Sequence, residues 1–374
     1  MRTLFCNSPY GAGGIGQHFA YLVEASRAAH QLDGYYAPQV RPGDPVGQPC
    51  PNHTFGLSRY TPLRFFPAWK SHLANTMFDR RVAARLRAPG NAVMGFAGKS
   101  LDTFTRARAL GVNVLELVAA NSHVENVRTC HERAASDTGI QDSWLNGAQV
   151  RRTLREYDLA DRIYVHSDYV RDSMVEAGIP VEKLVRTELL IDRRFQPPPE
   201  RPLDDAFRIV YVGRVDLTKG MALLLDAFER VNIPGKSLTI VGGWSTRAVR
   251  RFIEPYLRRN PSIRVAPGDP LPALQQADVF VHPTYEDGFG YAPMEALACG
   301  VPVVVTEDTG MKEYVQHGVT GYVIPTGNLG TLCERLHQIY ASPLASNASF
   351  LPAHVSGAAE DAPPLPVEAA ALAS

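Results

Sequence analysis

The chain has 374 residues and 45% of them are hydrophobic, which is enough for two domains that each bury their own core. It carries 38 Lys and Arg residues and 38 Asp and Glu residues. Because the formal net charge is zero, no global field attracts nucleic acid, and we predict no nucleic-acid partner. No apolar run approaches the roughly 18 residues that a membrane-spanning helix needs.

The cysteines are few, odd in number and scattered. The sequence has five of them, at Cys6, Cys50, Cys130, Cys299 and Cys333. No CxxC pair occurs, so neither a zinc ribbon nor a redox dithiol is indicated. Residues 1–7 read as a buried strand and lack the pattern of a signal peptide. We therefore expect a reduced, cytoplasmic protein.

Short apolar runs alternate with longer helical patterns along the chain. These runs are rich in Val, Ile and Leu and cover residues 114–118, 162–165, 208–212, 237–241, 279–282 and 302–306. Largely apolar strands separated by helices are typical of parallel sheets covered on both faces. The pattern predicts an α/β fold.

The composition divides the chain into three parts. Three consecutive prolines at residues 197–199 predict an extended connector. We place a first domain at residues 1–200 and a second at 203–342. Residues 343–374 are rich in Ala, Pro and Ser and bury too little apolar surface to order, so they predict a disordered tail.

A glycine-rich loop follows the first strand and precedes a helix that reaches Ala28. Gly11, Gly13 and Gly16 match GxGxxG, but the carboxylate that a dinucleotide site needs after the second strand is missing. Two other interpretations stay open. The turn either serves only close packing, or its backbone, including Gly13 and Gly14, binds a substrate phosphate or sugar through free N–H groups.

Residues 59–87 mix basic and aromatic side chains and hold one acid, Asp79. One interpretation is peripheral contact with the inner face of a membrane, where a lipid-linked or anionic acceptor would bind. The other is a helix that packs its aromatic side chains inward and leaves its arginines solvated.

The strand at 208–212 ends in Gly213 and Arg214, and Lys219 follows five residues later. Apolar residues then recur with helical spacing, so a helix begins near Lys219. Ligands bind at this edge of an open α/β sheet, and an Arg and a Lys there can both reach a diphosphate. The alternative is that both are solvated surface residues.

The segment 281–302 contains a strand, a Gly-x-Gly turn and a short helix. Pro293 fits the first turn of that helix and Gly300 its end. Amides of the turn at Gly288–Gly290 suit an anionic or hydroxyl-rich ligand. Glu295 can accept two hydrogen bonds from a ribose diol, or it can serve only as a favourable charge near the helix start.

Together these features resemble the family 4 glycosyltransferases of the GT-B fold, also called glycosyltransferase group 1. The resemblance implies two Rossmann-like domains facing across a cleft. It implies retaining, metal-independent transfer of a hexosyl unit from a UDP- or GDP-sugar to a carbohydrate or lipid-linked acceptor, as in polysaccharide or glycolipid synthesis. The nucleotide sugar is then a substrate, and no cofactor or metal is expected. The absence of any Asp-x-Asp in the sequence agrees with this.

The resemblance also implies residue roles. Arg214 and Lys219 would neutralise the leaving diphosphate, Glu295 would hold the ribose, and Asp287 and His123 would face the donor sugar. The family usually has Glu where Asp287 stands, and Glu286 precedes it, so either carboxylate fits the sugar site. The implied donor contacts are Gly13, Gly14, Gly213, Glu286, Gly288, Phe289, Gly290 and Glu295.

Other functions remain open at this point. A sugar-nucleotide epimerase or a sugar phosphorylase shares this fold. A non-catalytic nucleotide-sugar-binding protein is a further alternative, because Asp287 replaces Glu and the family's long C-terminal helix is not recognisable after Ser342. An NAD-dependent oxidoreductase is the least favoured.

Overall fold

The structure is a computed structural model that describes residues 1–54, 60–87, 90–187, 191–200 and 204–344. Within these ranges the strands form one seven-stranded and one six-stranded sheet. Every strand pair in both sheets runs parallel. The predicted α/β fold with two parallel-sheet, Rossmann-like domains is therefore confirmed.

The first sheet has the spatial order β3-β2-β1-β4-β5-β6-β7. Its strands are β1 (Arg2–Phe5), β2 (Leu32–Ala37), β3 (Gly47–Pro49), β4 (Ala92–Phe96), β5 (Val114–Val118), β6 (Arg162–Val165) and β7 (Leu184–Arg186). The accompanying helices are α1 (Gly13–Ala28), α2 (Pro67–Arg85), α3 (Leu101–Ala109), α4 (Val124–Thr138), α5 (Gly147–Leu159) and α6 (Asp168–Glu176), with short 3-10 segments at Pro62–Phe65 and Val181–Lys183.

The second sheet has the order β10-β9-β8-β11-β12-β13. Its strands are β8 (Phe207–Val212), β9 (Lys236–Val241), β10 (Ile263–Ala266), β11 (Val279–His282), β12 (Val303–Thr306) and β13 (Gly321–Ile324). Its helices are α7 (Met221–Arg230), α8 (Arg247–Arg259), α9 (Leu271–Gln276), α10 (Tyr291–Ala298) and α11 (Leu329–Ala341), with a 3-10 segment at Gly310–Tyr314.

In each sheet the chain reverses its direction of winding next to the first strand. β1 lies between β2 and β4, and β8 lies between β9 and β11. Loops at such a switch point diverge to opposite faces and leave a crevice at the carboxyl edge of the sheet. The glycine loop follows β1, and the loop with Arg214 and Lys219 follows β8, so both lie at switch points.

The core of the second domain includes residues that the sequence assigned to the first. Ile191 and Phe195 are buried and pack with Val210, Leu274 and Phe280. The change of domain therefore falls before Ile191 rather than in the proline segment. Prolines 197–199 connect two parts of one domain, and residues 201 and 202, between the two predicted domains, lie outside the described residues.

The last described helix, α11, also belongs to the second domain. Its buried face of Leu332, Leu336 and Ile339 joins the core with α7. Most of the predicted disordered tail, residues 345–374, lies outside the described residues. None of the described helices is both long and apolar enough to cross a bilayer.

A buried carboxylate holds the start of α3 in the first domain. Glu156 on α5 is fully buried and accepts hydrogen bonds from the amides of Gly98 at 2.5 Å, Ser100 at 2.8 Å and Leu101 at 3.0 Å. The first amides of a helix have no partner within the helix. The side chain from α5 therefore supplies acceptors that α3 cannot provide for itself.

Glu156→Ala is expected to lower the free energy of unfolding by about 3 kcal/mol, because buried amides at the start of α3 lose their acceptor. Urea unfolding followed by circular dichroism measures this change. Glu156→Gln keeps one carbonyl oxygen and is expected to lose less. Equal stability of all three proteins would show that these hydrogen bonds contribute nothing net.

Candidate functional site

Two loops meet at the switch point of the second sheet. One follows β8 and carries residues 213–220, and the other follows β11 and carries residues 283–290. Gly220 adopts φ +71°, and a Cβ there would lie 1.8 Å from the carbonyl oxygen of Pro283. Only glycine fits both the left-handed backbone and this approach. The contact brings Lys219 next to the β11 loop.

Lys219 bonds directly to that loop. Its Nζ donates to Asp287 Oδ2 at 2.9 Å and to the carbonyl oxygen of Glu286 at 2.8 Å. His282 Nε2 lies 3.1 Å from the same Asp287 oxygen. Burial acts to raise the pKa of Asp287, but the charge of Lys219 and the contact with His282 outweigh it and hold this pKa well below its usual value. Asp287 is therefore an ionised partner of the lysine.

Arg214 pairs with a carboxylate that the sequence did not single out. Its Nε donates to Asp216 Oδ2 at 2.8 Å, and its side chain remains half exposed. The other Asp216 oxygen accepts the amide of Thr218 at 2.9 Å and its hydroxyl at 2.8 Å. Asp216 is almost completely buried. The buried carboxylate therefore anchors an arginine whose charge remains accessible.

Both cations act electrostatically on one residue of the first domain. Burial lowers the pKa of His131 on α4 to about 4; Asp216 opposes this shift, and Lys219 and Arg214 add to it. Lys219 and Arg214 belong to one loop, residues 213–220 after β8, at the edge of the sheet where ligands bind in this type of fold.

Glu295 lies on α10, which begins directly after the Gly-x-Gly turn. Its side chain is 7% exposed, and within the part of the chain that the structure describes its carboxylate accepts no hydrogen bond. Burial raises the pKa of Glu295 to about 7, against the opposing charge of Arg194. A buried carboxyl group without a partner is costly, and a ligand hydroxyl could satisfy it.

Glu286 connects the second domain to the first. Its carboxylate accepts Asn121 Nδ2 at 2.8 Å, the Ser122 amide at 2.9 Å and the Ser122 hydroxyl at 2.9 Å. The sequence left open whether Glu286 or Asp287 faces the donor sugar. The structure uses the Glu286 side chain in the contact between domains and places Asp287 beside Lys219. No local pattern could reveal a contact that spans 165 residues.

The turn after β11 also touches the first domain. A Cβ on Gly288 would lie 2.3 Å from the carbonyl oxygen of Ala120, and the Ser167 hydroxyl donates to the Gly288 carbonyl oxygen at 2.6 Å. The Phe289 side chain is buried in the core of the second domain. The predicted donor contacts at Gly288 and Phe289 are thus limited to backbone groups.

The remaining glycines differ in their surroundings. Gly290 has φ +94° and precedes α10, and Gly213 has φ +146° next to the Tyr211 ring. A Cβ on Gly14 would meet the Tyr291 ring of the second domain at 3.7 Å, whereas one on Gly13 would meet nothing within 4 Å. The glycine loop of the first domain therefore reaches the second domain beside α10.

His123 is not oriented as the sequence predicted. It precedes α4, its Nδ1 accepts the Glu125 amide at 3.3 Å, and its ring lies 5.1 Å from that of Tyr157. It lines a cavity of about 480 Å³ together with Leu154 and Ile179. All of these partners belong to the first domain, so the ring does not face the sugar loop. The residues just before it, Asn121 and Ser122, make the contact instead.

Comparison with known proteins agrees with this geometry. Residues 192–350 match the family model described as Glycosyl transferases group 1. The capsular polysaccharide biosynthesis glycosyltransferase CapM of Staphylococcus aureus is 29% identical over 167 residues, which are 43% of this chain and 43% of CapM. The matched part of this chain thus spans less than half the length of this curated relative. Both findings agree with the predicted transferase class.

The fold is shared over nearly the whole chain. Sucrose-phosphate synthase from Thermosynechococcus elongatus matches with a TM-score of 0.71 at 19% identity, over 92% of this chain and 90% of that one. Anabaena HepE in complex with UDP matches with a TM-score of 0.63 at 14% identity, over 94% and 92%. These likenesses establish the GT-B fold. Residues 192–350 of this chain thus match the Glycosyl transferases group 1 model, and they lie within a GT-B fold of two parallel-sheet domains.

Proposed function

We propose that the chain is a retaining family 4 glycosyltransferase that takes a hexosyl unit from a nucleotide sugar. The observation that carries the proposal is that Lys219 and Arg214 lie in one loop at the carboxyl end of β8, within residues 192–350 that match the group 1 family model. The UDP bound to the fold relative HepE supports a UDP-linked donor; a GDP-linked donor is the second candidate.

The cations would act on the leaving diphosphate. Departure of the sugar places negative charge on the diphosphate, and fixed cations at a buried edge stabilise that charge. Lys219 is bonded to Asp287 and Arg214 to Asp216. A diphosphate would compete with these carboxylates for the two side chains. Because two protein cations serve the leaving group, we propose that the reaction needs no divalent metal.

Asp287 and Glu295 would bind the two ends of the donor. Asp287 is already held by Lys219 and His282, which supports a role in holding the sugar and the lysine rather than in attacking the anomeric carbon. Among the described residues no group donates a hydrogen bond to the buried Glu295 carboxyl group, which is therefore proposed to hold the ribose diol. We therefore propose retention through front-side attack by the acceptor, driven by stabilisation of the leaving group.

The acceptor would bind to the first domain near the start of α2. The exposed aromatic patch, defined here as Tyr60, Phe65, Phe66 and Trp69, has exposures of 74%, 66%, 56% and 53%. These side chains do not pack inward, which supports the first of the two interpretations of residues 59–87; Arg59 itself lies outside the described residues. Aromatic side chains beside basic residues suit an anionic lipid surface. We propose peripheral contact with the inner face of a membrane and a glycolipid or polysaccharide precursor as acceptor.

Arg214→Ala and Lys219→Ala are each expected to weaken UDP binding about tenfold, because a hydrogen bond to a charged group contributes about 1.5–3 kcal/mol. Turnover of the sugar donor is expected to fall about 100-fold through loss of leaving-group stabilisation. Calorimetric titration with UDP and with GDP measures the affinity and identifies the base. Circular dichroism checks that each variant is folded.

Arg259→Ala is the matched control, since Arg259 is a half-exposed surface arginine paired with Glu229, and it should behave as wild type. Wild-type affinity and turnover in both site variants would remove the proposed diphosphate site. Release of a sugar phosphate with inorganic phosphate as co-substrate would instead indicate the phosphorylase.

Phe66→Ser combined with Trp69→Ser is expected to lower the partition of the protein onto phosphatidylglycerol vesicles at least about tenfold, because the apolar area that enters the interface is removed. Co-sedimentation measures the bound fraction. Val181→Ser, at a hydrophobic residue of the first domain that is 63% exposed, is the control and should bind as wild type. Equal binding by all three proteins would reject the aromatic patch as the contact.

A further inference from the structure

One carboxylate of the first domain is inserted into the second. Asp142 lies between α4 and α5 and is 6% exposed. Its Oδ2 accepts the Ser245 hydroxyl at 3.0 Å and the Leu217 amide at 3.4 Å, and its Oδ1 accepts the Thr246 hydroxyl at 3.2 Å. It therefore joins the loop that carries Arg214 to the start of α8.

Asp142 lies against Asp216, the residue that anchors Arg214. Asp142 accepts the amide of Leu217, the residue directly after Asp216, and the two carboxyl groups are close enough that each shifts the pKa of the other; the exposure of Asp216 is 1%. Two buried carboxylates in contact cannot both be ionised at low cost, so they share a proton. Asp216 has Arg214 and the Thr218 hydroxyl as partners. The proton therefore resides on Asp142, whose hydroxyl donates to Asp216.

We propose that Asp142 is a positioning residue, through which the contact of the first domain holds Asp216, and with it Arg214, in place for the donor diphosphate. This inference rests on the proposed function only for the identity of the ligand. Asp142 does not touch the donor. When the two domains are in contact, Asp142 of the first domain helps to fix the position of Arg214 on the second.

The groups that face Asp142 come from three elements. The β8 loop contributes Asp216 and the Leu217 amide. On α4, His131 lies 2.9 Å from the hydroxyl of Ser143, the neighbour of Asp142 in the chain, and it is neutral at neutral pH because burial lowers its pKa to about 4. The start of α8 contributes the hydroxyls of Ser245 and Thr246, and Arg247 beside them is exposed. Asp216 is thus the ionised group in direct contact with Asp142.

This arrangement makes the domain contact dependent on pH. Burial, together with the charge of Asp216, raises the pKa of Asp142 to about 7, whereas the group returns to its ordinary value of about 3.9 when the chain unfolds. Between these values the folded protein binds the additional proton, so its stability falls as the pH rises. Below about 4 the contribution is fully present, and above about 7 it is lost.

The first measurement needs no ligand. It compares the melting temperatures of wild type and Asp142→Asn between pH 5.5 and pH 8, because an amide keeps a donor for Asp216 but does not titrate. Wild type is expected to lose about 4 °C relative to Asp142→Asn as the pH rises. The matched control is Asp137→Asn, since Asp137 also reaches from α4 into the second domain, where it accepts Tyr285 Oη at 2.5 Å; its difference from wild type should stay constant.

The second measurement tests positioning. Asp142→Ala is expected to raise the Kd for UDP about tenfold, because Asp216 loses the donor that fixes it, while Asp137→Asn stays within about twofold of wild type. A merely structural role would lower the melting temperature of Asp142→Ala without changing its affinity for UDP.

The outcomes separate the two proposals. A melting difference between wild type and Asp142→Asn that does not change with pH overturns the shared proton. Unchanged UDP affinity in Asp142→Ala overturns the positioning role, and the proposed function stands if wild type binds UDP. Absence of UDP and GDP binding in wild type overturns the proposed function and the donor role of Arg214 together, and the ligand-free melting series still decides whether the proton is shared.

Discussion

Glu286 is a single residue that bonds to both sides of the candidate site, with its backbone to the second domain and with its side chain to the first. Its carbonyl oxygen accepts Lys219 of the β8 loop, and its carboxylate accepts Asn121 and Ser122 of the first domain. One residue therefore contacts both the lysine of the second domain and the loop after β5 of the first domain. Asp142 of the first domain reaches the loop of Arg214 separately, because it accepts the amide of Leu217 next to Asp216, the partner of Arg214.

Local sequence was sufficient to predict the strands but not the domain boundary. β5, β6 and β11 begin and end where the apolar runs do, since a strand covered on both faces is largely apolar. The helix after β8 begins at Met221, two residues from its predicted start. The boundary was misplaced because prolines indicate an extended backbone without indicating which core their neighbours join. Ile191 and Phe195 precede the prolines and pack into the second domain.

The site could be predicted only where its residues follow the ends of strands. Lys219 and Asp287 lie in turns and Glu295 lies in the short helix α10 at the switch point, and the order of strands and helices places them at one edge. Their proposed roles stay predictions. Asp216, His282 and Asp142 were missed, since their importance comes from contacts between distant segments. His123 was assigned a direction by resemblance, whereas its ring direction is set by capping of α4 and packing on Tyr157.

The balance of charge at this edge explains how it could receive an anion. Among the described residues of the site, Asp216 and Asp287 have lowered pKa values because Arg214 and Lys219 neutralise them. Glu286, Glu295 and Asp142 have raised pKa values because of burial.

Burial disfavours the ionised form of Glu286, Glu295 and Asp142, so it lowers the negative charge that would repel a diphosphate. A bound diphosphate would have to outcompete Asp216 and Asp287 for the two cations. The contact between the domains contributes to the burial of Glu286 and Asp142, and separating the domains would hydrate both carboxyl groups and favour their ionised form.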